Sequence, residues 1–152
     1  LSLARASGIN GMVGGQAADI AAETAQIPLT LDQIIALQKG KTGALIEWSA
    51  MAGAVMSEAP TDALQTYGDR LGLAFQIADD VLDVTGDAAT VGKAVGKDQS
   101  AGKATFVSLL GLEGAKARAS NLVDEACDAL AGFGDDADTL KQAARFVITR
   151  GH

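Results

Sequence analysis

Between Pro60 and Gly86 the chain holds a stretch in which Leu64, Tyr67, Leu71, Phe75, Ala78 and Leu82 recur three or four residues apart. That period belongs to an α-helix with an apolar face; a strand would alternate instead. Pro60-Thr61-Asp62 opens the expected helix, it continues to about Thr85, and Gly86-Asp87 ends it. Period-2 alternation stands out nowhere, and only 2 prolines interrupt 152 residues rich in alanine and leucine. The chain is therefore expected to be all-α.

The same helix carries three carboxylates within five residues. At about 100° per residue, Gln76, Asp79, Asp80 and Asp83 share an arc of roughly 100°. The opposite face carries Leu71, Phe75, Ala78 and Leu82 as the expected core stripe. Two carboxylates about 6 Å apart repel by about 3 kcal/mol at an effective dielectric near 20. A half-buried face tolerates that chiefly when a cation neutralises it. Oxygen-only ligands suit a hard divalent ion, and Mg²⁺ keeps waters and shares its sphere with substrate phosphates. Taken alone, the triplet fits an exposed acidic face without a ligand equally well.

Length and composition bound the rest. A chain of this size fits one domain, and 48% hydrophobic with 20% charged residues describes a folded globule. A net charge of −7 argues against general nucleic-acid affinity. One cysteine, Cys127, excludes an internal disulfide framework and fits a reducing cytoplasm. No signal-peptide pattern stands at the start, and no apolar run approaches 18 residues, so stable membrane insertion is not expected. Leu1-Ser2-Leu3-Ala4 begins without Met inside an apparently helical segment; the chain is expected to be a fragment whose N-terminal part is missing.

Upstream, a helix is expected from about Asn10 to Gln26, ended by Pro28, with Gln16, Asp19 and Glu23 on a polar face. Gly11, Gly14, Gly15, Ala17 and Ala18 keep it thin, which lets a neighbouring backbone or a ligand approach. Thr30 is a candidate N-cap for Leu31 to Gln38. Lys39-Gly40-Lys41-Thr42-Gly43 then reads as a glycine-loosened break that aims Lys41 and Thr42 inward. Ala44 to Met56 is apolar nearly all round, as for a helix in the centre of a bundle. Residues 87–103, with Lys93, Lys97 and Lys103, read as a long mobile loop of a length that is usually functional. Thr105 to Leu112 begins a further helical run. Glu113 to Phe133 follows as an amphipathic helix with Ala115, Ala119, Leu122, Ala126 and Leu130 on one side. Gly134-Asp135-Asp136 introduces a last helix, Ala137 to Thr149, and the two aspartates there offset its dipole without further chemistry.

Carboxylates with Mg²⁺, flanked by Lys41, Lys93, Lys97 and Lys103, are what a diphosphate needs: metal to bridge oxygens and ammonium groups to neutralise the remaining charge. Gly40-Lys41-Thr42 imitates the end of a phosphate-binding P-loop, but position 35 is Ile and no strand precedes it. The only histidine is His152, which excludes Ser-His-Asp and Cys-His schemes and weighs against a di-iron bundle.

The runs Gly11-Met12-Val13-Gly14-Gly15-Gln16-Ala17-Ala18-Asp19, Lys41-Thr42-Gly43-Ala44-Leu45 and Gly72-Leu73-Ala74-Phe75-Gln76-Ile77-Ala78-Asp79-Asp80-Val81-Leu82-Asp83 strongly resemble trans-prenyl diphosphate synthases. Val91-Gly92-Lys93, Gly96-Lys97-Asp98 and Gly102-Lys103-Ala104-Thr105 continue the match in order. The likeness is greatest to bacterial farnesyl or geranylgeranyl diphosphate synthases, and it covers essentially the whole chain as the C-terminal half of a single domain. It implies a helical bundle of the isoprenoid synthase type around a deep central cavity, usually as a homodimer in the cytoplasm. It further implies that Asp79 binds Mg²⁺ directly and that Asp80 and Asp83 support it directly or through waters. By the same resemblance Lys41 and Lys93 hold the allylic diphosphate, Thr42 and Gln76 line the reacting centre, Lys103 closes over the site, and Gln16 and Asp19 face the cavity.

The implied reaction is ionisation of an allylic diphosphate, attack by isopentenyl diphosphate, and loss of a proton to the departing diphosphate. The product would be short, C15 or C20. Gln38, Gly40 and Ala104 depart from the family pattern, and Gly40 is expected to loosen the placement of Lys41. The family's first Asp-rich motif would belong to the missing half, so this chain alone is expected to be inactive. A non-catalytic subunit of the same fold and a class I terpene cyclase are the alternatives.

Overall fold

The computed structural model describes residues 1–86 and 104–150. The expected loop at 87–103, with Lys93, Lys97 and Lys103, lies outside the described residues. Among the described residues every regular element is helical: α1 (Ser2–Ser7), α2 (Met12–Glu23), α3 (Leu31–Gln38), α4 (Ala44–Met56), α5 (Asp62–Thr85), α6 (Phe106–Leu110), α7 (Leu112–Ala129) and α8 (Asp138–Thr149). The all-α expectation holds.

α5 is the axis. It packs along α7 on one side and α4 on the other, with α8 closing over α5 and α7. The core lies between α5, α7 and α8, where Tyr67, Ile77, Leu122, Val123, Leu130 and the inserted Phe106 are fully buried. The α7 stripe is buried as expected, at Ala115, Ala119, Leu122, Ala126 and Leu130. Its small residues bring α7 close to α5. α7 ends earlier than expected. A 3₁₀ turn at Ala131–Ala137, with Gly134 at φ 58°, redirects the chain into α8 and contains Asp135 and Asp136.

On α5 the buried face is rotated from the expected one. Tyr67, Leu73, Ala74, Ile77, Ala78 and Asp80 are buried, whereas Leu71, Phe75 and Leu82 are only partly covered. Asp80 follows Ile77 at i+3 and Leu73 at i+7, so it sits on the core edge of the acidic arc. Asp79 and Asp83 fall on the opposite edge.

Lys39–Gly43 is not a break. It is one π-helical turn that joins α3 to α4 with helical backbone throughout, from Gln38 (φ −70°, ψ −31°) to Ala44 (φ −57°, ψ −39°). Such single π turns inside α-helices are frequent at functional sites. Upstream, Thr30 and Gln33 form the expected cap reciprocally: the Thr30 N–H donates to Gln33 Oε1 at 2.8 Å, and Thr30 Oγ1 accepts from the Gln33 N–H.

α4 departs from expectation as well. None of its residues is buried, and Val55 and Met56 are 42% and 81% exposed. Among the described residues α5, α1 and the π turn are its main neighbours, and much of its apolar surface stays open.

Tyr67 ties α5 to α8. Its hydroxyl donates to the Leu140 carbonyl at 2.8 Å while its ring is 2% exposed. Burial, then the neighbouring Cys127, pushes the phenol above its ordinary 10.0. Because the folded value exceeds the unfolded one, this contribution to stability is complete below about pH 10 and is lost as pH rises through the folded value. Urea melts of Tyr67→Phe should show a loss of about 1 kcal/mol at pH 7 and a flatter decline above pH 10 than the parent.

Candidate active site

Two glycine contacts build the site around the π turn. On one side α2 meets it at Gly15, where an added Cβ would lie 2.0 Å from the Lys41 nitrogen and 2.6 Å from the Gly40 carbonyl carbon. On the other side α5 meets it at Gly72, where an added Cβ would lie 3.0 Å from the Gly43 Cα. Gly40 faces Gly15 closely, a Cβ there falling 3.2 Å from the Gly15 Cα, so this glycine tightens the placement of Lys41 instead of loosening it. Residues four apart on a helix lie one turn apart on one face. Asp19 follows Gly15 by four, and Gln76 follows Gly72 by four, so each points at the turn that its glycine has admitted.

Both contacts form. Lys41 Nζ donates to Asp19 Oδ2 at 2.5 Å, and the Asp19 side chain is 4% exposed against 33% for Lys41. Thr42 Oγ1 donates to Gln76 Oε1 at 3.0 Å. Asp19 is thus a buried counter-ion and not part of a solvated polar face; Gln16 and Glu23 on α2 are exposed. Lys39 extends the turn outward to Asp69 on α5 at 2.7 Å, and Arg70 beside it reaches Glu125 on α7 at 2.7 Å.

Beyond Gln76 the α5 face continues with Asp79 and Asp83, one and two turns further on. The three aspartates separate in role. Asp80 is 9% exposed and its Oδ2 accepts from the Phe106 backbone N–H at 2.8 Å, anchoring the start of α6. Asp79 is 34% exposed, with Oδ1 accepting from Arg150 Nη2 at 3.2 Å. Asp83 is half-buried one turn later. Among the described residues no three acidic, histidine or cysteine side chains converge as a metal-holding group. What this chain offers is a pair, Asp79 and Asp83, at i, i+4. One or two carboxylates, with waters and substrate phosphates completing the octahedron, is the donor set Mg²⁺ ordinarily takes. The residues fit that ion.

Alanine replacement should separate the aspartates without any ligand. Asp80→Ala leaves the buried Phe106 N–H without this acceptor and should cost about 1–3 kcal/mol in urea melts, whereas Asp83→Ala should stay within about 0.5 kcal/mol.

Arg150 was absent from the sequence expectations. It lies just past α8, and only the docking of α8 onto α5 brings it to Asp79; no local period signals that.

The helices around the π turn thus carry one part-buried lysine–aspartate pair and one hydroxyl–amide pair, with two aspartates further along α5. Comparison with known proteins gives the particular family. Residues 4–145 match the family model described as polyprenyl synthetase, and the chain belongs to that family. It is similar to the farnesyl diphosphate synthase of Escherichia coli strain K12, 43% identical over 97% of this chain and 51% of that protein. Among solved structures it is similar to an FPP/GFPP synthase from Zymomonas mobilis, with a TM-score of 0.84 and 48% identity over 96% of this chain and 48% of that one. It is also similar to a geranyltransferase from Helicobacter pylori solved with magnesium and isoprenyl diphosphate, with a TM-score of 0.76 and 36% identity over 97% of this chain and 48% of that one. The fold is the all-α isoprenoid synthase fold of these neighbours. The chain spans about half the length of the curated relatives it matches.

Proposed function

We propose that this chain is the C-terminal half of a short-chain prenyltransferase that condenses isopentenyl diphosphate with an allylic diphosphate to a C15 or C20 product. The observation that carries the reading is the π turn held between Asp19 and Gln76, with Asp79 and Asp83 following on the same α5 face. Mg²⁺, held by Asp79 and Asp83, would supply charge neutralisation of the allylic diphosphate as its C–O bond breaks. Asp80 would support them from the core side.

The chain's own groups have defined parts. Asp19 occupies one of the three Lys41 N–H donors and holds the ammonium in place, leaving two for diphosphate oxygens. The Thr42 hydroxyl donates a hydrogen bond to Gln76 Oε1, which would leave its oxygen lone pairs for positive charge developing on the allyl group. Lys93 would bind the same diphosphate, Lys103 would close over it, and Gln16 would face the cavity. The allylic cation needs no nucleophilic side chain. It needs a water-excluding wall, and the open apolar faces of α4 would supply one once the upstream half covers them. The leaving diphosphate takes the final proton.

The protein would act as a cytoplasmic homodimer without affinity for nucleic acid. No helix among the described residues is long and apolar enough to cross a membrane. The test is product analysis with the full-length protein, Mg²⁺, isopentenyl diphosphate and an allylic primer. A C15 or C20 prenyl diphosphate is expected, and no product with any allylic primer would refute the reading. Hydrocarbon released from farnesyl diphosphate would instead mark a cyclase. Inactivity alone, with activity on co-purification with a homologue, would mark a non-catalytic subunit.

A further inference from the structure

Arg150 takes no part in the reaction as proposed, yet it makes three contacts with one turn of the aspartate helix. Its guanidinium carbon stands 4.0 Å from the centroid of the Phe75 ring. Its Nη2 donates to the Phe75 carbonyl at 3.5 Å and to Asp79 Oδ1 at 3.2 Å. Its side chain is 22% exposed, and its Nε is buried without a hydrogen-bond partner among the described residues. Phe75 and Asp79 are one helical turn apart, so Arg150 grips a single turn of α5 at both ends. Two of the three holds, the ring face and the carbonyl, do not involve Asp79. The guanidinium therefore stays in place whatever Asp79 binds, and it takes Oδ1 of that carboxylate.

We infer that Arg150 is a positioning residue for Asp79: by holding Oδ1 it fixes the plane in which the carboxylate meets the metal–diphosphate side. The inference rests on the reading of Asp79 as a metal ligand. A neighbouring cation by itself would weaken binding of a divalent ion. The geometric hold works the other way, because an orienting partner restricts a partly exposed carboxylate before the metal arrives. The two effects have opposite signs, which makes the proposal testable. A planar guanidinium that both stacks and donates is also not replaceable by an ammonium.

The experiment is Mn²⁺ binding to the full-length protein in the presence of inorganic diphosphate, followed by electron paramagnetic resonance. It is paired with the Mg²⁺ dependence of turnover. Arg150→Gln should weaken Mn²⁺ binding by about 10-fold and raise the half-saturating Mg²⁺ concentration alike, with kcat at saturating Mg²⁺ less affected. Arg150→Lys should recover less than half of the loss, since charge without the fork and the stack does not hold Oδ1. Val147→Ala, which loosens α8 at a buried position without touching Asp79, should lower the melting temperature and leave Mn²⁺ affinity unchanged. Unchanged or tighter Mn²⁺ binding in folded Arg150→Gln would overturn the proposal, as would a matching loss in Val147→Ala. Asp79→Asn run in parallel distinguishes the levels. If it leaves every Mn²⁺ site at full affinity, the metal reading itself fails; if it removes one site that Arg150→Gln leaves at full affinity, only the positioning role fails.

Discussion

Asp79→Asn in the full-length protein should lower kcat by about a thousandfold, with the fold and the melting temperature nearly unchanged. The substitution preserves size and one carbonyl oxygen, removes the negative charge and turns the other oxygen into an NH₂ group. Asp79 is a third exposed, and ion pairs at such positions contribute little to stability. Catalysis is another matter. Breaking an allylic C–O bond develops charge on the leaving diphosphate, and neutralising groups fixed where that charge appears account for factors of about 10²–10³ each. Because the charge develops between ground and transition state, the loss should fall on kcat more than on the KM for the allylic substrate. Raising Mg²⁺ should recover part of it. Steady-state kinetics over a Mg²⁺ series reads all three effects.

Gly15→Ala should cost about 3 kcal/mol, a large effect for the addition of one methyl group. The added carbon would fall 2.0 Å from the Lys41 backbone nitrogen, and neither backbone has a rotamer with which to yield. Overpacking typically costs 1–3 kcal/mol, and contact with main chain puts this position at the upper end. The damage should also be functional. α2 must move away from the π turn, which parts Lys41 from Asp19. Gly114→Ala is the matched comparison: its Cβ would meet Leu110 at an ordinary 3.4 Å at an exposed position of α7, and it should be neutral or stabilising by up to about 1 kcal/mol. Urea melts of the two variants, with the KM for the allylic substrate, check the contrast.

Much of this architecture could be read before any coordinates. The α7 stripe is plain because one face of that helix meets one neighbour, so a simple period of apolar residues suffices. α5 was harder, since it has neighbours on two sides and its glycines, not its leucines, mark the contact with α4. That is why the core face lies at Tyr67, Ala74 and Ile77 and why Asp80 turns inward while Asp79 does not. The π turn looked like a break because Gly40 and Gly43 disfavour helix locally. Gly15 and Gly72 override that by packing the turn tightly from both sides, a tertiary effect that propensity does not contain. α4 is apolar all round, as a central helix should be, but the walls present among the described residues cover only part of it. Of the candidate site, Lys41 with Asp19 and Thr42 with Gln76 come together across 22 and 34 residues of sequence. Arg150 was invisible because it is 71 residues from its partner and belongs to no local pattern.

The central claim is that the Asp79–Asp83 face and Lys41 form one Mg²⁺–diphosphate site. Calorimetric titration of the full-length protein with inorganic diphosphate, with and without Mg²⁺, tests it without requiring turnover. Diphosphate binding that depends on Mg²⁺ and weakens at least about 10-fold in both Asp79→Asn and Lys41→Gln is the expected result. Binding that is indifferent to Mg²⁺, or that survives both substitutions unchanged, would contradict it.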